Sequence, residues 1–285
     1  MQPAYFPNAD ITLLKVYDMP VIERAFSSIA NDWEIEFNFP QGGCQQRAQI
    51  MSMILQKKFN IEHCKIWLFS PAALYLSDTR TFYTEDKNRL SPDNKVEWNY
   101  HVAPVVQVQS GNTIDTLVID PSTNRNAAVP VEQWFSIIGN SSAGKYSFLL
   151  PDKYFFNCTY HTHENNQVTT LFDGSFFDFE NPAKDNLAME KGLAINDMVM
   201  KIYHKYIQPL MMDDNTANAA KLEDLKAVFG NSTALDLLFS QNISAYTDNT
   251  THRYVITHYS DIIKEAKEIF NERLFFWTNF VNTLL

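Results

Sequence analysis

Hydrophobic periodicity changes once along this 285-residue chain, near residue 180, and that change limits the folds open to it. Upstream, short apolar alternations are broken by turns rich in Gly, Pro and Asn, the pattern of strands mixed with short helices. Downstream the periodicity is helical, with almost no strand signal. "NLAMEKGLAINDMVMKIYHKYI" reads as a helix closed by Pro209, and "AAKLEDLKAVFG" as one capped by Gly230. "YSDIIKEAKEIFNERLFFWTNFVNTLL" reads as a third, with Ser260 or Asp261 as N-cap. The expected fold is therefore α+β, with residues 1–180 forming one region and residues 181–285 a helical one. No Pro/Gly/Ser-rich linker separates them, so the helices are expected to pack on the first region; the alternative is a module that docks a protein substrate or regulates that region. A hydrophobic fraction of 45%, including 21 Phe and 13 Tyr, supplies the material for such a core.

Charge removes several classes of function. A net charge of −10 without any Lys/Arg cluster excludes a nucleic-acid surface. No apolar run reaches the roughly 20 residues that span a bilayer, so no membrane partner is expected. Nothing in the pattern calls for more than a monomer. The first residues, "MQPAYFPNADITLLKVYD", lack the features of a signal peptide. A composition rich in Asn, Lys, Ile and Phe suits a bacterial protein. Delivery as an effector or toxin by a dedicated secretion machine is one expectation, and residence in the cytoplasm the other. Three cysteines, Cys44, Cys64 and Cys158, are too few for a disulfide scaffold; Cys64 and Cys158 read as unlinked thiols.

Cys44 stands out because of its surroundings. It follows Gly42-Gly43 and opens a helical pattern in which Ala48, Met51 and Leu55 share one side and Gln45, Gln49, Ser52 and Gln56 the other. At a helix N-terminus, unpaired N–H groups and the positive end of the helix dipole favour a thiolate. The same N–H groups can hold a developing oxyanion. The two glycines allow backbone conformations, and a close substrate approach at Gly43, that a β-carbon would prevent. The alternative is a small thiol buried at a helix cap.

A second signal lies at "VEWNYHVAPVVQVQSGNTIDTLVIDPS", residues 96–122, two strand-like runs joined by a hairpin turn. Alternation puts His101, Ala103 and Val105 on one face. If Ser110-Gly111 form the turn, His101 falls opposite Asp120, and Pro121 ends the strand just beyond it. An imidazole beside a carboxylate fixes a tautomer and stabilises the imidazolium. Cysteine, then histidine, then aspartate is also the order of a thiol protease.

The blocks "GCQQRAQIMSMIL", "WNYHVAPVV" and "VIDPS", with "VPVEQWF" around Trp134, resemble the bacterial protein-glutaminase family. Those enzymes are protein deamidases with a papain- and transglutaminase-like core. The resemblance spans roughly residues 40–140. It implies Cys44 as nucleophile, His101 as general base and acid, and Asp120 as its orienter. It also implies a protein carrying an accessible glutamine as the partner, and neither metal nor organic cofactor. Residues 70–95 form a longer insertion than those enzymes carry, and the helical region has no counterpart in them. Proteolysis or cross-linking by the same triad, and a non-catalytic binding module, remain open at this point.

Of the other candidates, Trp98 and Tyr100 fall opposite His101 on an ideal strand and are core residues unless a bulge turns one toward substrate. Arg47, one turn into the helix, reads as structural. "HTHE" at 161–164 offers two histidines and a carboxylate but no evident third ligand, so no metal site is expected.

Overall fold

The computed structural model describes residues 2–3, 9–75, 78–91, 93–162, 168–178, 187–213, 215–241 and 250–285; the side chains at 2–3, 155–162, 168–178, 240–241 and 250 lie outside it. Strands gather in the first region and helices in the second, a mixed helix-and-sheet architecture. In chain order come Gln2–Pro3 (β1), Val16–Asp18 (β2), Met19–Asn31 (α1), Cys44–Phe59 (α2), Cys64–Phe69 (β3) and Pro71–Leu74 (α3). Phe82–Glu85 (β4), Lys95–Trp98 (β5), Tyr100–Ser110 (β6), Thr113–Val118 (β7), Val129–Pro130 (β8) and Val131–Ile137 (α4) follow. Lys145–Leu149 (β9), Lys153–Thr162 (β10) and Val168–Asp178 (β11) complete the strands among the described residues.

The main sheet runs β1-β9-β3-β6-β7-β8, and β2 joins β6 in parallel where β3 stops. Every residue of β3 is buried, as a strand covered on both faces must be. On one face, Tyr100 and Val102 of β6 meet Trp67, Ala48 and Cys44. On the other, Ala103 and Val105 pack with Ile66, Leu68, Val118 and Trp134. Cys64 is buried on this second face as a free thiol, and burial pushes its pKa up to about 11. The side chain of Cys158 is outside the described set.

The hairpin register differs from the expected one by two residues. Ser110 pairs with Thr113 and Val105 with Val118, so Gly111 and Asn112 form the turn, Gly111 with a φ of 58°. A type of turn that begins at positive φ favours glycine first, and this moves the turn one residue along. A two-residue shift preserves the faces. Strand pairing nevertheless ends at Val118, not beside Pro121, and Asp120 reaches His101 from the turn beyond the ladder.

The helical region contains Ala188–Ile202 (α5), a π turn at Tyr203–Ile207 that leads into Gln208–Met211 (α6), Ala219–Phe229 (α7), Ser232–Asp236 (α8) followed by another π turn at Leu237–Gln241, Thr250–His258 (α9) and Ser260–Asn282 (α10). Pro209 does not close the first of these helices. The π turn shifts the hydrogen-bond pattern, and Pro209 sits in the first turn of α6, where its missing N–H leaves nothing unpaired. Gly230 does end α7, but at φ −89° rather than left-handed. Glycine is needed there because a β-carbon would lie 2.7 Å from the Leu90 carbonyl. Tyr259, without a side-chain capping bond, takes the N-cap of α10 in place of Ser260 or Asp261.

One apolar cluster joins the two regions. Phe26, Phe39, Ile50 and Ile54 from the first pack with Leu193, Met198, Phe229 and Trp277 from the second. As a result α2 is covered on nearly all sides, and Gln49 and Ser52, expected on its polar side, are buried. Gln49 is satisfied by a hydrogen bond from the buried Lys65 ammonium. A polar tie reinforces the contact: Asp197 of α5 accepts from Arg273 Nε and Trp277 Nε1 of α10, each at 2.7 Å. Arg273 also donates to Glu34 at 3.0 Å. Among the described residues no helix is long and apolar enough to cross a membrane.

Candidate active site

The start of α2 depends on Gly43. It is the N-cap, its φ is +82°, and it offers no capping side chain. The first-turn N–H groups of Cys44, Gln45 and Gln46 therefore lack the usual side-chain partner. Cys44 follows as a half-buried free thiol.

The 70–95 insertion and the strand after it hold the segment that leads into this turn. Asn88 Nδ2 donates to the Asn38 carbonyl at 2.5 Å, and Trp98 Nε1 to the Pro40 carbonyl at 2.8 Å. Gln41 Nε2 donates to the buried Asp86 carboxylate at 2.7 Å, which also accepts from Ser91 N–H. Inside the helix, the buried Arg47 guanidinium donates to the Phe39 carbonyl at 3.2 Å. Its role is the structural one read from the sequence, with Cys44 and Asp120 close enough to support its charge.

His101, the second residue of β6, is 2% exposed. Its Nε2 bonds the Asp120 carboxylate at 2.8 Å. Asp120 accepts three further bonds: from Trp134 Nε1 at 2.9 Å, from Ser122 N–H at 3.2 Å and from Ser122 Oγ at 2.5 Å. Burial alone would raise the Asp120 pKa, but the His101 charge and these donors hold it far below the ordinary carboxylate range. Burial likewise works against a charged His101. The Asp120 charge and hydrogen bond, with a smaller contribution from Cys44, outweigh it and hold the imidazole above its ordinary value. Two indoles stack on the ring, Trp98 with centroids 5.0 Å apart and Trp134 at 5.5 Å, and their π faces favour the cation too.

The remaining ring nitrogen, Nδ1, is buried without a hydrogen-bond partner at ordinary distance. Cys44 is still near enough to raise the ring's pKa. Thiol and imidazole are thus neighbours without an aligned hydrogen bond between them, a geometry common in active sites without bound substrate. A thiol at a helix start, next to an imidazole held charged by a buried carboxylate, can act as a thiolate nucleophile with an adjacent proton donor.

The structure thus brings together Cys44, His101 and Asp120. Trp98 departs from its expected place, because the strand breaks at Asn99 between β5 and β6, and the break turns the indole onto His101. Tyr100 stays on the opposite face, stacked on Trp67 at 5.6 Å and beside Cys44. The space beside Gly43 is filled by Asn196, whose Nδ2 lies 2.3 Å from where a β-carbon would stand. Reading the sequence did not single out Ser122 or Asn196. An Asn-Asp pair interrupting the apolar run from Leu193 to Met200 was the available signal for Asn196. No group of three or more potential metal ligands occurs among the described residues. In the "HTHE" stretch, the side chain of His161 and all of His163 and Glu164 lie outside the described set.

Fold and site together have the layout of a thiol hydrolase: a cysteine at a helix start on a mixed sheet, facing a buried His–Asp pair. A family model described as "Glutaminase" matches residues 22–138, less than half the chain but the part that carries all three side chains. Three solved structures are also similar to the chain. The NMR structure of protein-glutaminase from Chryseobacterium proteolyticum is 18% identical with a TM-score of 0.43, covering 65% of this chain and 89% of that one. A crystal structure of protein-glutaminase is 20% identical, with a TM-score of 0.42 and coverages of 65% and 88%. A crystal structure of pro-protein-glutaminase is 18% identical, with a TM-score of 0.42 and coverages of 71% and 63%. No curated protein matches.

Proposed function

We propose that the chain is a protein-glutamine deamidase with a papain- and transglutaminase-like core, in which Cys44 is the nucleophile, His101 the acid and base, and Asp120 the orienter. The observation that carries this is the buried His101–Asp120 pair beside Cys44, all three within the segment that matches the glutaminase family. The Cys44 thiolate attacks the carboxamide carbon of a glutamine side chain, and first-turn N–H groups of α2 stabilise the oxyanion. His101 gives its proton to the departing nitrogen, which leaves as ammonia, and a thioester remains. His101 then takes a proton from water, whose oxygen attacks the thioester; glutamate and the thiolate are released. The sum is glutamine plus water to glutamate plus ammonia. Trp98 and Tyr100 border the imidazole and the thiol and are the side chains placed to contact the substrate. A bacterial effector acting on host protein is the biological setting proposed for this chemistry.

The test is incubation with a glutamine-rich protein such as casein. Ammonia release with a gain of about one dalton per site, abolished by prior alkylation of Cys44 with iodoacetamide, is expected. Shortened products without ammonia would overturn the assignment in favour of proteolysis, and cross-linked products that release ammonia without the one-dalton gain would overturn it in favour of amine transfer.

A further inference from the structure

Asn196 lies on α5, in the helical region and outside the segment that matches the glutaminase family. It is 2% exposed, and its Nδ2 has no hydrogen-bond partner. That nitrogen is aimed at the start of α2: a β-carbon on Gly43 would stand 2.3 Å from Nδ2 and 3.0 Å from Oδ1. One turn earlier on the same face, Gly192 makes room for Gln46, also in the first turn of α2. The helix that carries the amide is anchored there, since Asp197, the next residue, is bonded to Arg273 and Trp277.

An amide N–H buried without a partner costs about 1–3 kcal/mol, and such groups in a folded protein call for an explanation. Here the group sits against Gly43, the residue before the thiol, where the first N–H groups of α2 lack a side-chain cap. A tetrahedral oxyanion forming on Cys44 would supply the missing acceptor. We infer that Asn196 donates from Nδ2 to that oxyanion, together with the first-turn N–H groups of α2, so that the helical region contributes a catalytic residue. The inference rests on the deamidase reading above. It also gives Gly43 a second reason to be glycine, because only an absent side chain leaves room for the donor.

The test uses the full chain with Asn196→Leu, which keeps the volume without a donor, and Asn196→Ala, which removes both. Three quantities are measured: kcat and KM for ammonia release from a glutamine peptide, the rate of Cys44 alkylation by iodoacetamide, and the thermal midpoint. The expected result is a fall in kcat of about 10²–10³-fold, the loss seen when an oxyanion donor is removed. KM should stay within a few-fold, and alkylation within about two-fold, because alkylation of a thiolate develops no oxyanion. If leucine at 196 prevents folding, the alanine variant carries the same comparison. A folded variant that keeps kcat within about three-fold of wild type overturns the inference. A parallel fall in alkylation and kcat overturns it too, since Asn196 would then act by placing the thiol. Absence of ammonia release by the wild-type chain is a separate outcome that removes the deamidase reading and this inference with it.

Discussion

Asp120 in the sheet region and Asp197 in the helical region are both buried, and each accepts one bond from an indole N–H and one from a basic side chain. For Asp120 the partners are Trp134 and His101; for Asp197 they are Trp277 and Arg273. The difference lies in the base. An imidazole can give up and recover its proton near neutrality, whereas a guanidinium cannot. The first carboxylate therefore holds the charge of an imidazole that lies beside a thiol, and the second fastens two helices. A buried carboxylate with an indole and a cation is by itself no sign of catalysis; a titratable partner with a nucleophile beside it is.

The sharpest way to break the comparison is to remove the nucleophile. Cys44→Ala should lower ammonia release by at least about 10⁴-fold, while the thermal midpoint stays within a few degrees, because a half-buried thiol at a helix start fills little core volume. Appreciable residual turnover would show that Cys44 is not the attacking group. Next, Asp120→Asn should reduce kcat by about 10²–10⁴-fold through loss of the imidazolium's counter-charge and orientation. Steady-state kinetics on the purified variant reports this directly. Activity equal to wild type would place Asp120 with Asp197 among the purely structural carboxylates.

The matching change in the helical region should act on stability. Arg273→Ala leaves Asp197 buried without its cation and should cost about 3–5 kcal/mol. In denaturant titration the midpoint should fall with little change in slope. A fall in kcat with stability intact would reverse the roles assigned to the two carboxylates.

The pH dependence sharpens the contrast further. His101 is held above its ordinary pKa, so the stability it contributes is fully present below the ordinary imidazole value and is lost as pH rises through the raised one. Asp120 is held below its ordinary pKa, so its contribution is present above the carboxylate range and is lost only in strong acid. The gap in melting temperature between wild type and Asp120→Asn should thus be wider near pH 6 than near pH 10. The reverse order would mean that the imidazole is neutral in the folded protein. The smallest effect is expected at Lys65, whose ammonium is buried in the sheet region with its pKa pushed down to about 7, chiefly by burial. Lys65→Met should leave stability unchanged or raise it by about 1 kcal/mol. Any gain should shrink as pH rises above 7, because the unfolded lysine binds its proton there and the folded one does not.

Local chemistry made much of this site legible in the sequence. Gly-Gly-Cys before a helical stripe marked a thiol at a helix start, and alternation put His101 on the face it shares with Ala103 and Val105. The change of periodicity near residue 180 separated sheet from helices. What stayed hidden depends on contacts between distant segments. The break at Asn99 that turns Trp98 onto His101 has no marker in a strand-like run. Gln49 and Ser52 look like a solvent face until α5 covers α2. Asn196 was invisible as a partner of Gly43 because nothing local reveals which helix lies against residue 43.

The tie between Arg273 and Glu34 spans 239 residues, and the core it closes takes in α1, α2 and α10 together. A ribosome releases the chain from its N-terminus, so Cys44 and His101 emerge long before the helix that completes their surroundings. Contacts of such large sequence separation also form slowly. The core that covers α2 therefore closes only once α10 has been made and docked, well after the strand that carries His101.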